Sequence, residues 1–309
     1  MGNNSEIVFV LQGLNETLSN RQVYFTLALL LYLLTILVNL ALILTIVLER
    51  MLHEPMYIFL CNLCVNGILG ASSFYPKLLH DLLADAHVIT YGSCIAQIFA
   101  VYCYVFCEFT NLTLMAYDRY VAICKPLQYQ ALVGPQRVGQ LLFLTWAFTL
   151  LETAVGVGLT GRLPICGVHI HKIFCTNWEV VKLACSDTML NNIYGFLLTV
   201  SHVSQAALIA VSYGYIVRAS LRSRDSRRKF MQTCLPHLVT LGNFTTSLVF
   251  DAMYSRYGNS SSLRALRNIL AAQFLVVPPL LNPVVYGMKL QLIRTRLAQM
   301  FTPKVSAFG

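Results

Sequence analysis

The sequence predicts an all-α membrane protein, a seven-transmembrane helix bundle with a short interfacial C-terminal helix. Three observations carry that expectation. The first is composition: 57% of the 309 residues are hydrophobic and 11% are charged, where a soluble domain has about 25% charged residues. The second is the length of the apolar runs. A helix needs roughly 20 apolar residues to span a bilayer, and seven windows qualify: 24–48, 57–82, 95–121, 138–160, 191–217, 231–253 and 268–288. The runs are continuous rather than alternating, and too long for barrel strands of about 10 residues. The third is the placement of the +9 net charge. Arg218, Arg222, Arg224, Arg227, Arg228 and Lys229 follow the fifth window against a single acid, Asp225, and the tail adds Lys289, Arg294, Arg296 and Lys304. Cytoplasmic segments collect Lys and Arg, so these sides face inward and the N-terminus faces out.

In chain order, residues 1–23 read as a short polar arm without the apolar core of a cleavable signal, so the first span is expected to serve as the signal anchor. Asn3 and Asn15 head glycosylation sequons on the outer side, and Asn259 heads another close to the membrane. Asn111 and Asn243 also match but fall inside spans and read as structural. Asn39 is a lone amide in the first span, a residue that usually bonds a neighbouring helix. Pro55 suits a helix start, because its missing N–H is not needed in the first turn. Trp146 reads as a packing anchor. Glu152 lies one and a half turns outward of it, and either faces a cavity or pairs with His202. Glu108 is a carboxylate in mid-membrane, where a charge is costly and usually functional; the competing reading is a protonated acid bonded to a neighbouring helix. Arg256, near Asp251 at the outer end of the sixth span, is either an anion clamp at a cavity mouth or a partner of Asp251 or lipid phosphate. Cys94, Cys166, Cys175 and Cys185 all lie on the oxidising side, and four cysteines allow three disulfide connectivities. The remaining cysteines read as small core residues rather than metal ligands.

The most specific stretch is Met115-Ala-Tyr-Asp-Arg-Tyr-Val-Ala-Ile-Cys-Lys-Pro-Leu-Gln-Tyr129. It sets Asp118 beside Arg119 where hydrocarbon gives way to water. The pair is either a stop signal for the span or a latch, held in one state and released in another. Four further motifs accompany it: Leu52-His-Glu-Pro-Met-Tyr57, Leu183-Ala-Cys-Ser-Asp-Thr188, Lys229 to His237 with Thr233-Cys234 inside it, and Asn282-Pro-Val-Val-Tyr286. Together they resemble the odorant receptors, a branch of the rhodopsin-like G-protein-coupled receptors, over Pro55 to Tyr286. The outer end of the sixth span suggests the fish-like, class I branch. Two departures stand out: Gly67 occupies the position where the family usually carries Asp, and Gly287-Met-Lys-Leu-Gln follows Tyr286 in place of Arg-Asn-Lys-Glu.

The resemblance implies the disulfides Cys94–Cys175 and Cys166–Cys185, closing a loop as a lid over a ligand pocket. It implies a pocket wall that includes Tyr102, Val105, Phe106, His202, Ala252 and Arg256, filled by a small odorant, with an anionic one suggested by Arg256. Activation and coupling fall to Asp118, Arg119, Tyr120, Tyr213, His237, Asn282, Pro283 and Tyr286, and the partner is a stimulatory, olfactory-type G protein that raises cyclic AMP. No cofactor is expected beyond a sodium ion near Glu108. Residues 289–300 are expected to form the interfacial helix. The rival classes fit less well. A receptor for amines needs a carboxylate on the outer third of the third span, where Val101 and Tyr102 stand. A transporter tends to show repeated halves, and none are visible. A hydrolase needs a nucleophile–base set, and none stands out. No zinc spacing or aromatic-interleaved basic patch points to nucleic acid.

Overall fold

A computed structural model describes residues 7–13, 18–220, 224–258 and 264–289. Seven long helices dominate: α1 Leu18–Leu48, α2 Pro55–Leu83, α3 Tyr91–Cys124, α5 Pro135–Gly161, α7 Met189–Ser220, α8 Arg224–Tyr257 and α9 Arg264–Lys289. Two short helices join them, α4 Tyr129–Leu132 and α6 Asn177–Val181. Each apolar window of the sequence lies inside one long helix. The helices run a few residues further at each end, because backbone hydrogen bonding continues into polar flanks.

The starts follow local chemistry. Pro55 and Pro135 sit in the first turns of α2 and α5, where a missing N–H costs nothing. The Thr90 hydroxyl accepts from the Ser93 amide at the head of α3, and the Asp187 carboxylate accepts from the Met189 amide at the head of α7.

Five helices hold a stretch long and apolar enough to cross a membrane: α1, α2, α3, α5 and α7. In α8 the basic run at one end and Asp251 and Arg256 at the other dilute the apolar content, and α9 keeps a shorter apolar run, Ala272–Val285. Leu30, Leu33, Leu37 and Leu44 of α1 and Phe143, Leu144 and Leu151 of α5 point outward and are exposed. Such continuous apolar faces suit lipid rather than water. The bundle centres on α3: two-thirds of its apolar stretch is buried, against 22% for α1 and 11% for α7.

Two prolines of α9 expose how the bundle is tied. A proline removes the hydrogen bond to the carbonyl four residues back. Pro278 thereby frees the Phe274 carbonyl, which accepts from the Tyr104 hydroxyl of α3 at 2.8 Å. Pro283 frees the Pro279 carbonyl, which accepts from the Asn39 amide of α1 at 2.8 Å. Neighbouring helices thus satisfy what α9 cannot satisfy alone.

The arm differs from its expected polar character. Val8–Leu11 is a strand, β1, lying between β2 (Val88–Thr90, antiparallel) and β3 (His169–Ile170, parallel). Phe9 is fully buried with Leu11, Ile89, Ile170 and Val180 in a small second core. The cause is the alternation of VFVL, a four-residue run too short to register beside the surrounding Asn, Ser and Glu. Asn3, Asn15 and Asn259, the tail beyond Lys289 and the side chains of the basic segment through His237 lie outside the described residues.

Candidate functional site

Helices α3, α5, α7 and α8 and the loop after α5 enclose a cavity of about 140 Å³. Tyr102, Val105, Phe106, His202, Ala252 and Arg256 all line it. Its roof is the segment that carries β3 and α6. Cys94 at the head of α3 is bridged to Cys175, and Cys166 to Cys185, with Cα separations of 5.5 and 5.6 Å. Gln97 adds a polar tie, accepting from the Cys175 amide and donating to the Ser73 carbonyl of α2.

Arg256 does not pair with Asp251. Its guanidinium bonds the Asn192 side chain and stacks over the Trp178 ring at 4.4 Å. It crosses α7 at Gly195, where a Cβ would collide with it. Asp251 is instead held by Lys172 from the roof, at 2.7 and 2.8 Å, with the lysine side chain 1% exposed. Sequence reasoning missed Lys172 because a loop residue has no periodicity to place it.

Further in, Glu152 of α5 and His202 of α7 both face the cavity, their Oε2 and Nε2 atoms 3.8 Å apart. Glu152 thus faces the cavity beside His202, at a separation too long for a hydrogen bond. The His202 ring stacks on Phe106 at 4.5 Å and meets the edge of Phe109.

Below the cavity, Glu108 is fully buried. Its carboxylate accepts from Asn66 of α2 at 2.9 Å and from Asn282 of α9 at 2.8 Å. Gly67 faces elsewhere: a Cβ there would meet the Asn39 side-chain oxygen and Pro279 at 3.2 and 3.4 Å. Asn66 Oδ1 and Asn282 Oδ1 are buried with no hydrogen-bond partner among the described residues. Carboxylate and amide oxygens are the hard donors that an alkali cation takes. Among the described residues no three His, Cys, Asp or Glu side chains cluster as a metal site.

At the opposite end of α3, Asp118 is buried and receives Arg119 at 2.5 and 2.9 Å and the Tyr129 hydroxyl at 2.7 Å. Burial pushes the Tyr129 phenol up, and the Asp118 carboxylate it bonds pushes it further. The Tyr120 ring meets Tyr215 edge-on at 6.2 Å, and the Lys125 ammonium lies 6.0 Å from its centroid. Tyr213 is buried in the core, as are Asn282 and Pro283. The side chains of His237 and Tyr286 are outside the described set.

The sequence itself matches a known family. A sequence model of the olfactory receptor family matches residues 28–304. The chain is 34% identical to olfactory receptor 52D1 of Homo sapiens, over 87% of its own length and 86% of that protein. It is 36% identical to olfactory receptor 4E2 of Mus musculus, over 94% and 93% of the two chains. Against olfactory receptor 2G3 of Homo sapiens the identity is 32%, over 99% of both. A receptor rather than an enzyme, the chain belongs to the olfactory receptor family.

Proposed function

We propose that the chain is an odorant-activated G-protein-coupled receptor of the plasma membrane. It forms one receptor domain over residues 1–309 that crosses the bilayer seven times, with the N-terminus outside and residues 289–309 in the cytoplasm as a tail with an interfacial helix. One observation carries the reading best. The six residues that the resemblance assigns to ligand line a single roofed cavity, and the same central helix, α3, bears the Asp118–Arg119 pair at its other end.

A small odorant enters from outside and packs against Tyr102, Val105, Phe106 and Ala252. An acidic group, where the ligand has one, meets Arg256 at the mouth. Because a ligand shifts an equilibrium only through differential affinity, its contacts with α3, α7 and α8 must tighten in the active arrangement. The inner end of α8 then moves outward, Arg119 leaves Asp118, and Tyr120, Tyr213 and Tyr286 repack around the incoming G protein. His237 lies in the segment that enters α8 beside that interface, and the Asn282-Pro283 pair supplies the deformable point in α9. The G protein is of the stimulatory, olfactory type, and cyclic AMP rises. A sodium ion would be held by Glu108 with the side-chain oxygens of Asn66 and Asn282, neutralising a buried carboxylate between three helices. Asn3, Asn15 and Asn259 are the expected glycan sites, and nucleic acid is no partner.

The test is a cyclic AMP response in cells that express the chain with an olfactory-type G protein, against a panel of small acids, amines and neutral odorants. Surface expression with at least one response, lost in Arg119→Ala, is the expected result. A response to acids that vanishes in Arg256→Ala supports the clamp, and one that survives removes it. Silence across the panel from protein at the surface argues against the coupling.

A further inference from the structure

The polar groups of the cavity are not equally occupied. Lys172 and Asp251 neutralise each other. Arg256 has Asn192 and Trp178. Glu152 Oε2 and His202 Nε2, by contrast, are buried and without a hydrogen-bond partner among the described residues. The residues bearing them are 9% and 5% exposed. An unmet buried acceptor is costly, and a carboxylate more so.

We infer that the inner end of the cavity is a subsite for a small protonated amine, held between the Glu152 carboxylate and His202. This deepens the reading of the cavity as the ligand pocket and rests on it. The argument begins with the imidazole. His202 Nδ1 lies 2.8 Å from the Leu198 carbonyl, which can only accept, so in the neutral imidazole Nδ1 carries the proton and Nε2 presents a lone pair. Two acceptors therefore face each other across 3.8 Å, too far for a bond between them. A nitrogen placed about 2.9 Å from both subtends roughly 80° between them, close enough to the angle between two N–H bonds for each hydrogen bond to bend only slightly. An ammonium supplies two such donors. An alcohol supplies one, and a carboxylate, ether or aldehyde supplies none and adds a third lone pair.

Charge and shape agree. The guanidinium of Arg256 is far from this point: Gly195, which it crosses, precedes His202 by seven residues, roughly 10 Å along α7. Among the described residues, Glu152 forms no ion pair with a lysine or arginine, and His202 is the one basic side chain within 4 Å of its carboxylate. Phe106 and Phe109, packed around the His202 ring, and Tyr102, edge-on to Phe106, form an aromatic wall, the surface that suits a cationic head. A cavity of about 140 Å³ accommodates a body near the size of a benzene ring. The ligand class is a compact cyclic or branched alkylamine.

The experiment uses the full chain purified in lipid nanodiscs and follows binding by thermal melting. Four probes share one skeleton: cyclohexylamine, cyclohexanol, cyclohexanecarbaldehyde and cyclohexanecarboxylic acid. Cyclohexylamine should bind the unmodified protein at least about tenfold more tightly than the alcohol. Glu152→Gln should weaken the amine by about 30-fold while moving the alcohol by less than about threefold, and His202→Phe should weaken the amine by about tenfold. If the alcohol, aldehyde or acid binds more tightly than the amine, or if Glu152→Gln leaves amine affinity unchanged, the amine subsite is wrong and the ligand pocket stands. If none of the four binds a protein that melts cooperatively, the subsite falls together with the pocket reading. The comparison on the unmodified protein decides the matter even where a variant does not fold.

Discussion

Removing one partner of the Lys172–Asp251 pair should loosen the whole outer face of the bundle. The perturbation is Lys172→Met, which keeps the length of the stem and deletes the charge. Its magnitude follows from burial. The lysine side chain is 1% exposed and the carboxylate 10%, and both aspartate oxygens accept from one ammonium. Stranding a buried charge in this way costs about 3–5 kcal/mol, whereas replacing both partners by apolar groups of similar volume is close to neutral. Lys172→Met should therefore lower the melting temperature of the purified receptor by roughly 5–10 °C. Asp251→Leu alone should do comparable harm, and Lys172→Met with Asp251→Leu should recover most of the loss. The assay is a double-mutant cycle read by melting in nanodiscs, with an expected coupling of about 2 kcal/mol or more. Single variants that shift melting by less than about 1 °C, or a double variant as unstable as the sum of the singles, would refute the view that this bond closes the roof onto α8.

Three other outcomes are expected. Gly70→Ala should destabilise by about 1–3 kcal/mol, because its Cβ would lie 2.5 Å from the Tyr104 ring, which is buried and fixed through its hydroxyl to Phe274; a melting temperature equal to the parent's would contradict this. Gly195→Ala should leave melting nearly unchanged, since the colliding group is the end of a flexible arginine, yet shift the odorant dose–response by displacing Arg256 from the mouth. Tyr129→Phe removes a hydrogen bond to a buried carboxylate, worth about 1.5–3 kcal/mol, and should raise ligand-free cyclic AMP several-fold if that bond helps hold Asp118 to Arg119.

Much of this architecture is legible in the chain because its signals are long. Twenty-residue apolar runs announce helices whatever their neighbours do, and Pro55 and Pro135 punctuate two of their starts. Asn39 reads correctly as a group that bonds across helices, reaching the Pro279 carbonyl, whereas Trp146, read as a packing anchor, also donates to Asn62. The strand at Val8–Leu11 was illegible, since four alternating residues carry little information and its partners lie far along the chain. The cavity residues came from resemblance to a family rather than from periodicity, which cannot say which face of α3 meets α7. For the same reason periodicity could not show that Glu152 of α5 and His202 of α7 face one cavity. Lys172 sits in irregular backbone, and only the disulfides and β3 bring it over Asp251.

The central strand of the roof has a consequence for biosynthesis. Residues 8–11 leave the ribosome early, but their parallel partner, His169–Ile170, follows some 160 residues later. Contacts this distant in sequence form late in folding. Until then Phe9 and Leu11 have no core to enter, so the arm must wait, solvated, through the making of α1 to α5. A chain whose arm is docked has thus already brought the head of α3 and the segment after α5 together. A deletion of residues 7–11 should accordingly reduce surface delivery more than it alters binding in the molecules that escape. The expected result of losing this small sheet is therefore a defect in export from the site of synthesis rather than in odour sensitivity.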